Sequence, residues 1–228
     1  MTLGLALLAT LLVHAAAEAL ARRVRSPLLH PILVSTVVLA LGVRLLRIDP
    51  ETYAQGGDVL TFFLGPSVIA LGVRVEAELE GLGRRTWPVL IAILAGSAIG
   101  VASVVIVAKL LGASPVLVAT LAPKSTTTPF AMGIAARLGG VPELAAAIVV
   151  AVGILGAAVG PTLLRLFGVR DRLAWGLAMG AAAHGVGTAR AVEEGDVEGA
   201  AATVALGLTG VVTALVAPPI VRALASFW

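Results

Sequence analysis

"LAPKSTTTPF", residues 121–130, sets a lysine, four consecutive hydroxyl residues and two prolines inside an otherwise apolar run. Pro123 ends one short helix. Thr128 followed by Pro129 is a helix-start signal, with Thr128 as N-cap and Pro129 at the first helical position. The stretch therefore predicts a break at membrane depth, with a half-helix running on to Arg137. Free backbone N–H groups and the positive end of a helix dipole would face that break. Ser125, Thr126, Thr127 and Thr128 add hydroxyls, and Lys124 adds a full charge. Such a set suits an anion, above all a carboxylate. The bland alternative has the hydroxyls satisfying the broken backbone and Lys124 snorkelling to the interface. A lysine inside an apolar run nevertheless points first to function.

The surroundings make the run a membrane segment. The chain has 228 residues, 59% of them hydrophobic and 13% charged, with a mean hydropathy of +1.04. Apolar stretches recur from end to end, and a crossing helix needs about 20 such residues. Candidate segments run over 3–20, 27–47, 58–74, 87–111, 115–138, 143–168, 173–190 and 196–226. We expect an all-α polytopic membrane protein in a single domain, 1–228, with about seven to eight transmembrane segments, some broken or re-entrant. A β-barrel would need alternating strands and more than 4% aromatics. Met1 leads into apolar sequence without a basic n-region, which favours a first span over a signal peptide. With no cysteine, thiol chemistry is excluded. The basic residues cluster at helix ends, so the net charge of +3 fits positive-inside placement rather than nucleic acid.

Other breaks accompany the first. "LHPIL" (29–33), "FLGPSV" (63–68) and "AVGPTL" (158–163) place proline in apolar sequence. Each frees a carbonyl that lipid cannot satisfy. Pro31, Gly65, Pro66, Pro123, Pro129, Gly160, Pro161, Gly185 and Gly187 are the candidate helix-break and hinge positions, in the manner of broken transporter helices. "SPLLHP" (26–31) and "SPVLVATLAP" (114–123) hint at an internal repeat. An inverted repeat needs residues 115–138 to cross the membrane, whereas the balance of Lys and Arg favours a re-entrant hairpin there.

"AHGVGTAR" (183–190) is the second polar constellation. His184 titrates near neutral pH, Arg190 suits a carboxylate, and Thr188 adds a hydroxyl, all in one apolar segment. Alternatively, His184 is a buried histidine bonded to a carbonyl and Arg190 an interfacial arginine. His14 and Glu18, four residues apart, are placed to pair. No nucleotide loop, metal-ligand cluster or nucleophile elbow occurs. We expect neither enzyme activity, cofactor nor metal.

On these motifs the chain resembles the LrgB/CidB family. "LAPKSTTTPFAMGIAARLGGVPEL" (121–144) is similar to that family's K-S-V-T-T-P signature, with Thr126 at the valine position. "GILGAAVGP" (153–161), "GLAMGAAAHGVGTARA" (176–191), "EGAAATVALGLTGVVTALVAP" (198–218) and "GPSVIALG" (65–72) extend the likeness over nearly the whole chain. Departures fall at His30, Arg74–Glu76, Ala181, Ala183 and Thr209. The resemblance implies one of two roles in the cytoplasmic membrane. One is a carrier of small monocarboxylates of glycolate, glycerate, pyruvate or lactate type, coupled to H⁺ or exchanging. The other is an antiholin-like regulator of murein hydrolase export, acting with a small LrgA/CidA-type membrane partner. A homo-oligomer in the bilayer is expected in either case. Lys124, Ser125, Thr126, Thr127, Thr128, His184, Thr188 and Arg190 are the candidate substrate-binding residues.

Overall fold

The computed structural model describes residues 3–24, 31–63, 66, 69–70, 73, 75 and 83–225. Every regular element among the described residues is helical, as expected. The chain divides into two compact units, Met1–Ala70 and Leu71–Trp228.

The first unit holds α1 (Leu3–Val24), α2 (Pro31–Leu45) and α3 (Pro50–Phe62). Pro31 opens α2 instead of interrupting it, since a proline at the first helical position removes no intrahelical bond. Residues 26–30 and Gly65, on which the proposed repeat and one hinge fall, lie outside the described residues. Pro66 is helical and exposed. One stripe of α1 carries the polar contacts. Thr10 donates to the Ala6 carbonyl at 2.9 Å and pairs with the Tyr53 hydroxyl at 2.7 Å. His14 Nδ1 lies 3.2 Å from Ser35 Oγ, whose own proton goes to the Pro31 carbonyl. Glu18 pairs with Arg22 at 2.7 Å, not with His14 as the spacing suggests. Asp49 accepts from the Thr52 amide and hydroxyl near the start of α3. Those bonds hold its carboxyl below the ordinary carboxylate range.

The second unit holds α4 (Thr86–Leu110), α5 (Pro115–Leu121), α6 (Thr128–Leu138), α7 (Pro142–Leu166), α8 (Arg172–Glu194) and α9 (Asp196–Ala225). Among the described residues four helices are long and apolar enough to cross a membrane: α1, α4, α7 and α9. The α4 residues Val89, Ile93, Ser97, Val101 and Val105 are buried, a strict every-fourth-residue face. At the end where α4 begins, here called proximal, Val89 and Ile93 pack with Val204 and Ala205. At the distal end Val105 and Ala108 pack with Val118, Ile134 and Ala217. Lys109 also donates there to the Leu224 carbonyl. The helices α4 and α9 therefore run in the same direction. α7 runs oppositely: Ala145 and Val149 pack against Ala131 and Ala135 of α6, and Leu164 packs against Met179 and Ala202.

Residues 115–138 form a hairpin inserted from the distal end. Thr120 Oγ1 accepts from the Val141 amide at 2.9 Å and donates to the Val116 carbonyl at 2.7 Å. A β-carbon on Gly140 would stand 2.7 Å from the Thr120 nitrogen. A straight helix would hold residues 120 and 140 about 30 Å apart. The segment folds back on itself, the alternative that the charge balance favoured over the repeat.

The segment expected over 173–190, with Gly185 and Gly187 as its hinge positions, is a second hairpin. His184 has φ 40 and ψ −128, which breaks α8 into two arms. A β-carbon on Gly187 would strike the Met179 carbonyl, although a straight helix would separate residues 179 and 187 by about 12 Å. Both ends of α8 are proximal. Arg172 forks onto the Glu198 carboxylate at 2.7 and 2.8 Å, and Gly195 packs beside that pair. Three glycines let the backbones close up: Gly176 against Glu198, Gly180 against Ala202, and Gly187 against Met179. This is the small-residue packing that replaces hydrophobic drive inside a membrane.

The other expected breaks resolve in two ways. Gly160–Pro161 does not interrupt α7, which continues to Leu166; Gly160 instead makes room for the Met179 sulfur. Pro123, Pro129, Gly185 and Gly187 do fall at or beside the two hairpin tips. The helices α4 and α7 are both 25 residues long, and each leads into one hairpin. The side chains of Ser114 and Asp171 cap those hairpins at their starts, and Gly139 and Gly195 terminate them.

Candidate functional site

The tip of the first hairpin is built by its prolines. Ser114 caps α5 by accepting from the Leu117 amide, with Pro115 at the start of the helix. The chain leaves helical geometry before Thr127, which is the N-cap of α6 with φ −77 and ψ 157. The helix begins at Thr128, one residue earlier than the Thr-Pro signal suggests, because a proline also fits the second position of a first turn. No side chain caps that turn. Lys124 is half-buried and donates from Nζ to Ser125 Oγ at 3.0 Å. No carboxylate pairs with it among the described residues. Thr126 is buried and donates to the Pro123 carbonyl at 2.9 Å, so its hydroxyl is committed to holding the tip.

This tip reaches the middle of the unit. The Phe130 ring lies on Gly210, near the centre of α9, and Ala131 packs in one cluster with Val149 of α7. An uncapped helix start placed there presents backbone N–H groups and positive potential to whatever lies beyond it.

The second tip is His184 itself. Its side chain is 5% exposed. The ring stands against Gly153, at the centre of α7, where a β-carbon would strike it. Its Nε2 has no hydrogen-bond partner among the described residues. The positive φ of a non-glycine residue costs about 1–3 kcal/mol and persists only where its surroundings enforce it. Here the enforcement includes Thr188, which donates to the His184 carbonyl at 2.8 Å and lies 3.4 Å from the Ala202 carbonyl.

One stretch of α7, residues 149–153, thus meets both tips, Ala131 against Val149 and the His184 ring against Gly153. Of the residues singled out in sequence, His184 stands at that stretch, and Thr127 and Thr128 open the helix whose Ala131 packs there. Lys124 and Ser125 stand on the first tip. Thr126 and Thr188 act as braces. Arg190 goes elsewhere: it sits toward the proximal base of its hairpin, bonded to Glu193 at 3.0 Å and to Glu194. Sequence reasoning missed Thr120, the tie that closes the first hairpin, and the buried mid-helix hydroxyl of Ser97; Thr209, also buried, entered only as a departure from the family pattern. Only their polarity in apolar sequence could have signalled them. No group of three or more His, Cys, Asp or Glu residues able to hold a metal occurs among the described residues.

The LrgB-like family model matches residues 10–223 of the chain. The chain belongs to the LrgB-like family. As a member of that family with several apolar helices, it is a membrane protein. It is 35% identical over 185 residues to the antiholin-like protein LrgB of Bacillus mycoides, covering 80% of each chain. It is also similar to two Bacillus subtilis proteins, the uncharacterized proteins YxaC and YwbG. The first is 32% identical with 94% of each chain covered. The second is 31% identical with 92% of this chain and 93% of the relative covered. No solved structure matches this chain.

Proposed function

We propose that this LrgB-family protein is a secondary transporter of small monocarboxylates across the cytoplasmic membrane, coupled to H⁺ or running as an exchanger. The observation that carries the reading is the meeting of two hairpins, inserted from opposite ends, at the middle of α7. One brings an uncapped helix start beside Lys124 and the other brings His184. Helix termini at mid-depth, aimed at an anionic group, are how secondary transporters hold carboxylates without a soluble domain. In this reading Lys124, Ser125, Thr127 and Thr128 bind the carboxylate, and His184 binds substrate or proton. Arg190, balanced by two glutamates, lines the entrance.

Each 25-residue helix with its hairpin, α4 with 115–138 and α7 with 172–194, forms one half of an inverted repeat. Rocking of one half against the other would open the centre to each side alternately. Arg84, Arg85, Arg165, Arg170, Arg172 and Arg190 belong to the proximal end, against Lys109, Arg137 and Arg222 at the distal end. The positive-inside rule then makes the proximal end cytoplasmic.

The test is uptake of labelled glycolate, glycerate, pyruvate and lactate into proteoliposomes holding only the purified protein. Wild-type uptake of at least one acid is expected. Lys124→Ala should lower it by about tenfold or more, the worth of a charge-assisted hydrogen bond. No uptake of any of the four, or a rate indifferent to Lys124→Ala, refutes the reading.

A second reading is favoured by the name of the Bacillus mycoides relative, an antiholin-like protein. There the chain regulates murein hydrolase export through a small LrgA/CidA-type membrane partner, as a homo-oligomer, and carries no substrate. Inert proteoliposomes together with co-purification of such a partner would favour it.

A further inference from the structure

Hydroxyls inside these helices usually bond back to the carbonyl one turn earlier, since apolar surroundings offer no other partner. Thr10, Ser35, Thr120, Thr188 and Thr203 all do so. Ser97 and Thr209 do not. Each is buried, 7% and 2% exposed, and neither Ser97 Oγ nor Thr209 Oγ1 has a partner among the described residues. Such an atom in a low-dielectric interior is costly to leave unpaired.

The two belong to one interface. The helices α4 and α9 pack together and run in the same direction. Ile93 and Ala205 share the proximal cluster, and Val105 and Ala217 share the distal one. Ser97 stands four residues past Ile93 and eight before Val105. Thr209 stands four past Ala205 and eight before Ala217. Both hydroxyls therefore lie at one level of two neighbouring helices, and neither bonds the other.

A third group comes to that level. The first arm of α8 runs beside the interface: Leu173, Leu177 and Ala181 pack on the proximal cluster together with Leu208, the neighbour of Thr209. This arm ends at His184, where the backbone leaves helical geometry. The last carbonyls of a helix have no intrahelical partner, and they carry the negative end of its dipole. No carboxylate stands on α4 or on this arm, and the acids of α9, Asp196 and Glu198, lie in its first turn. Lys109 and Arg222, the cations of α4 and α9, lie in their last turns.

We propose that Ser97, Thr209 and the carbonyl end of this arm bind a dehydrated monovalent cation of the size of Na⁺. Hydroxyl and carbonyl oxygens are hard, neutral ligands. Ca²⁺ and Mg²⁺ call for carboxylates, which this level lacks. In secondary transporters the carbonyls of broken helices at mid-depth hold Na⁺ in this manner. The proposal goes beyond the transport reading, because the cation binds whether or not the chain carries a carboxylate.

The test is the thermal midpoint of the purified, detergent-solubilised full chain in NaCl and in choline chloride at equal ionic strength. A cation that binds the folded chain stabilises it, by a shift that grows with concentration. NaCl should raise the wild-type midpoint above that in choline chloride. Ser97→Ala and Thr209→Val, each read against its own choline baseline, should need about tenfold more Na⁺ for the same shift. Thr209→Ser should keep the wild-type response. So should Thr203→Val, whose hydroxyl is already bonded to the Gly199 carbonyl. If Thr209→Val fails to fold, Ser97→Ala decides. Equal wild-type midpoints in the two salts mean that the hydroxyls hold water alone, and overturn the site. A Na⁺ response unchanged in every variant that folds overturns it too. Neither result bears on carboxylate uptake, which tests the transport reading separately.

Discussion

The hairpin over 115–138 makes a geometric claim that a cross-link can decide. A β-carbon placed on Gly140 stands 2.8 Å from Thr120 Oγ1, the atom a cysteine sulfur would replace. Residues bridged by a disulfide need Cα atoms within about 7 Å and Cβ atoms about 4 Å apart. A segment crossing straight through the bilayer would place the pair about 30 Å apart, far beyond reach without unfolding. The chain has no cysteine, so Thr120→Cys with Gly140→Cys gives a clean background. After mild oxidation in native membranes, the double variant should be protected from a maleimide-polyethylene-glycol mass tag. Each single variant should take the tag after denaturation, and reduction should restore labelling in the double variant. Full labelling of the double variant after oxidation, with protein that still purifies as a single species, would refute the fold-back and the site derived from it.

The second hairpin makes a parallel prediction. Gly187→Ala should lower the thermal midpoint of the purified protein, because its β-carbon would strike the Met179 carbonyl, whereas in a straight α8 the two lie about 12 Å apart and alanine in place of glycine would stabilise the helix. Thr120→Val removes the acceptor of the Val141 amide and should destabilise the detergent-solubilised protein by about 1–3 kcal/mol, seen as a lowered thermal midpoint. Arg190→Gln should leave the carboxylate KM within about twofold, because Arg190 already faces Glu193 and Glu194 and exposed pairs contribute little; a tenfold rise in KM would put Arg190 back at the binding centre.

Much of the fold was legible because the governing signals are local. The expected segments 3–20, 87–111, 143–168 and 196–226 correspond closely to α1, α4, α7 and α9, since a long apolar run with polar flanks has few other outcomes in a bilayer. The break in the first hairpin was legible too: Pro123 and Pro129 stop and start helices wherever they stand, while charge balance and repeat pulled in opposite directions on whether the chain crosses or returns. In "AHGVGTAR" only Gly185 and Gly187 signalled a loosened helix, and two glycines do not say that the chain reverses. The stretch holds no proline, and alanine is the best helix former. Arg190 was drawn into the site by its chemistry and its place in that stretch, whereas its glutamate partners lie three and four residues on.

What the sequence by itself determined is where helices exist and where one must break. Those outcomes follow from hydrocarbon length, capping and missing backbone donors, all of which act within a turn or two. What only the tertiary structure decided is the meaning of each break. Pro161 bends into an unbroken α7, while His184, with no proline near it, reverses the chain. The difference lies in contacts between residues far apart in sequence. Gly176 and Gly180 let the first arm of α8 press onto the α9 carbonyls, and Gly187 lets the second arm fold against the first. Thr120 is fastened to Val141 by a bond that no periodicity encodes. Packing inside a membrane is settled by shape and by unsatisfied polar groups rather than by hydrophobicity. The site is therefore visible only where those groups converge.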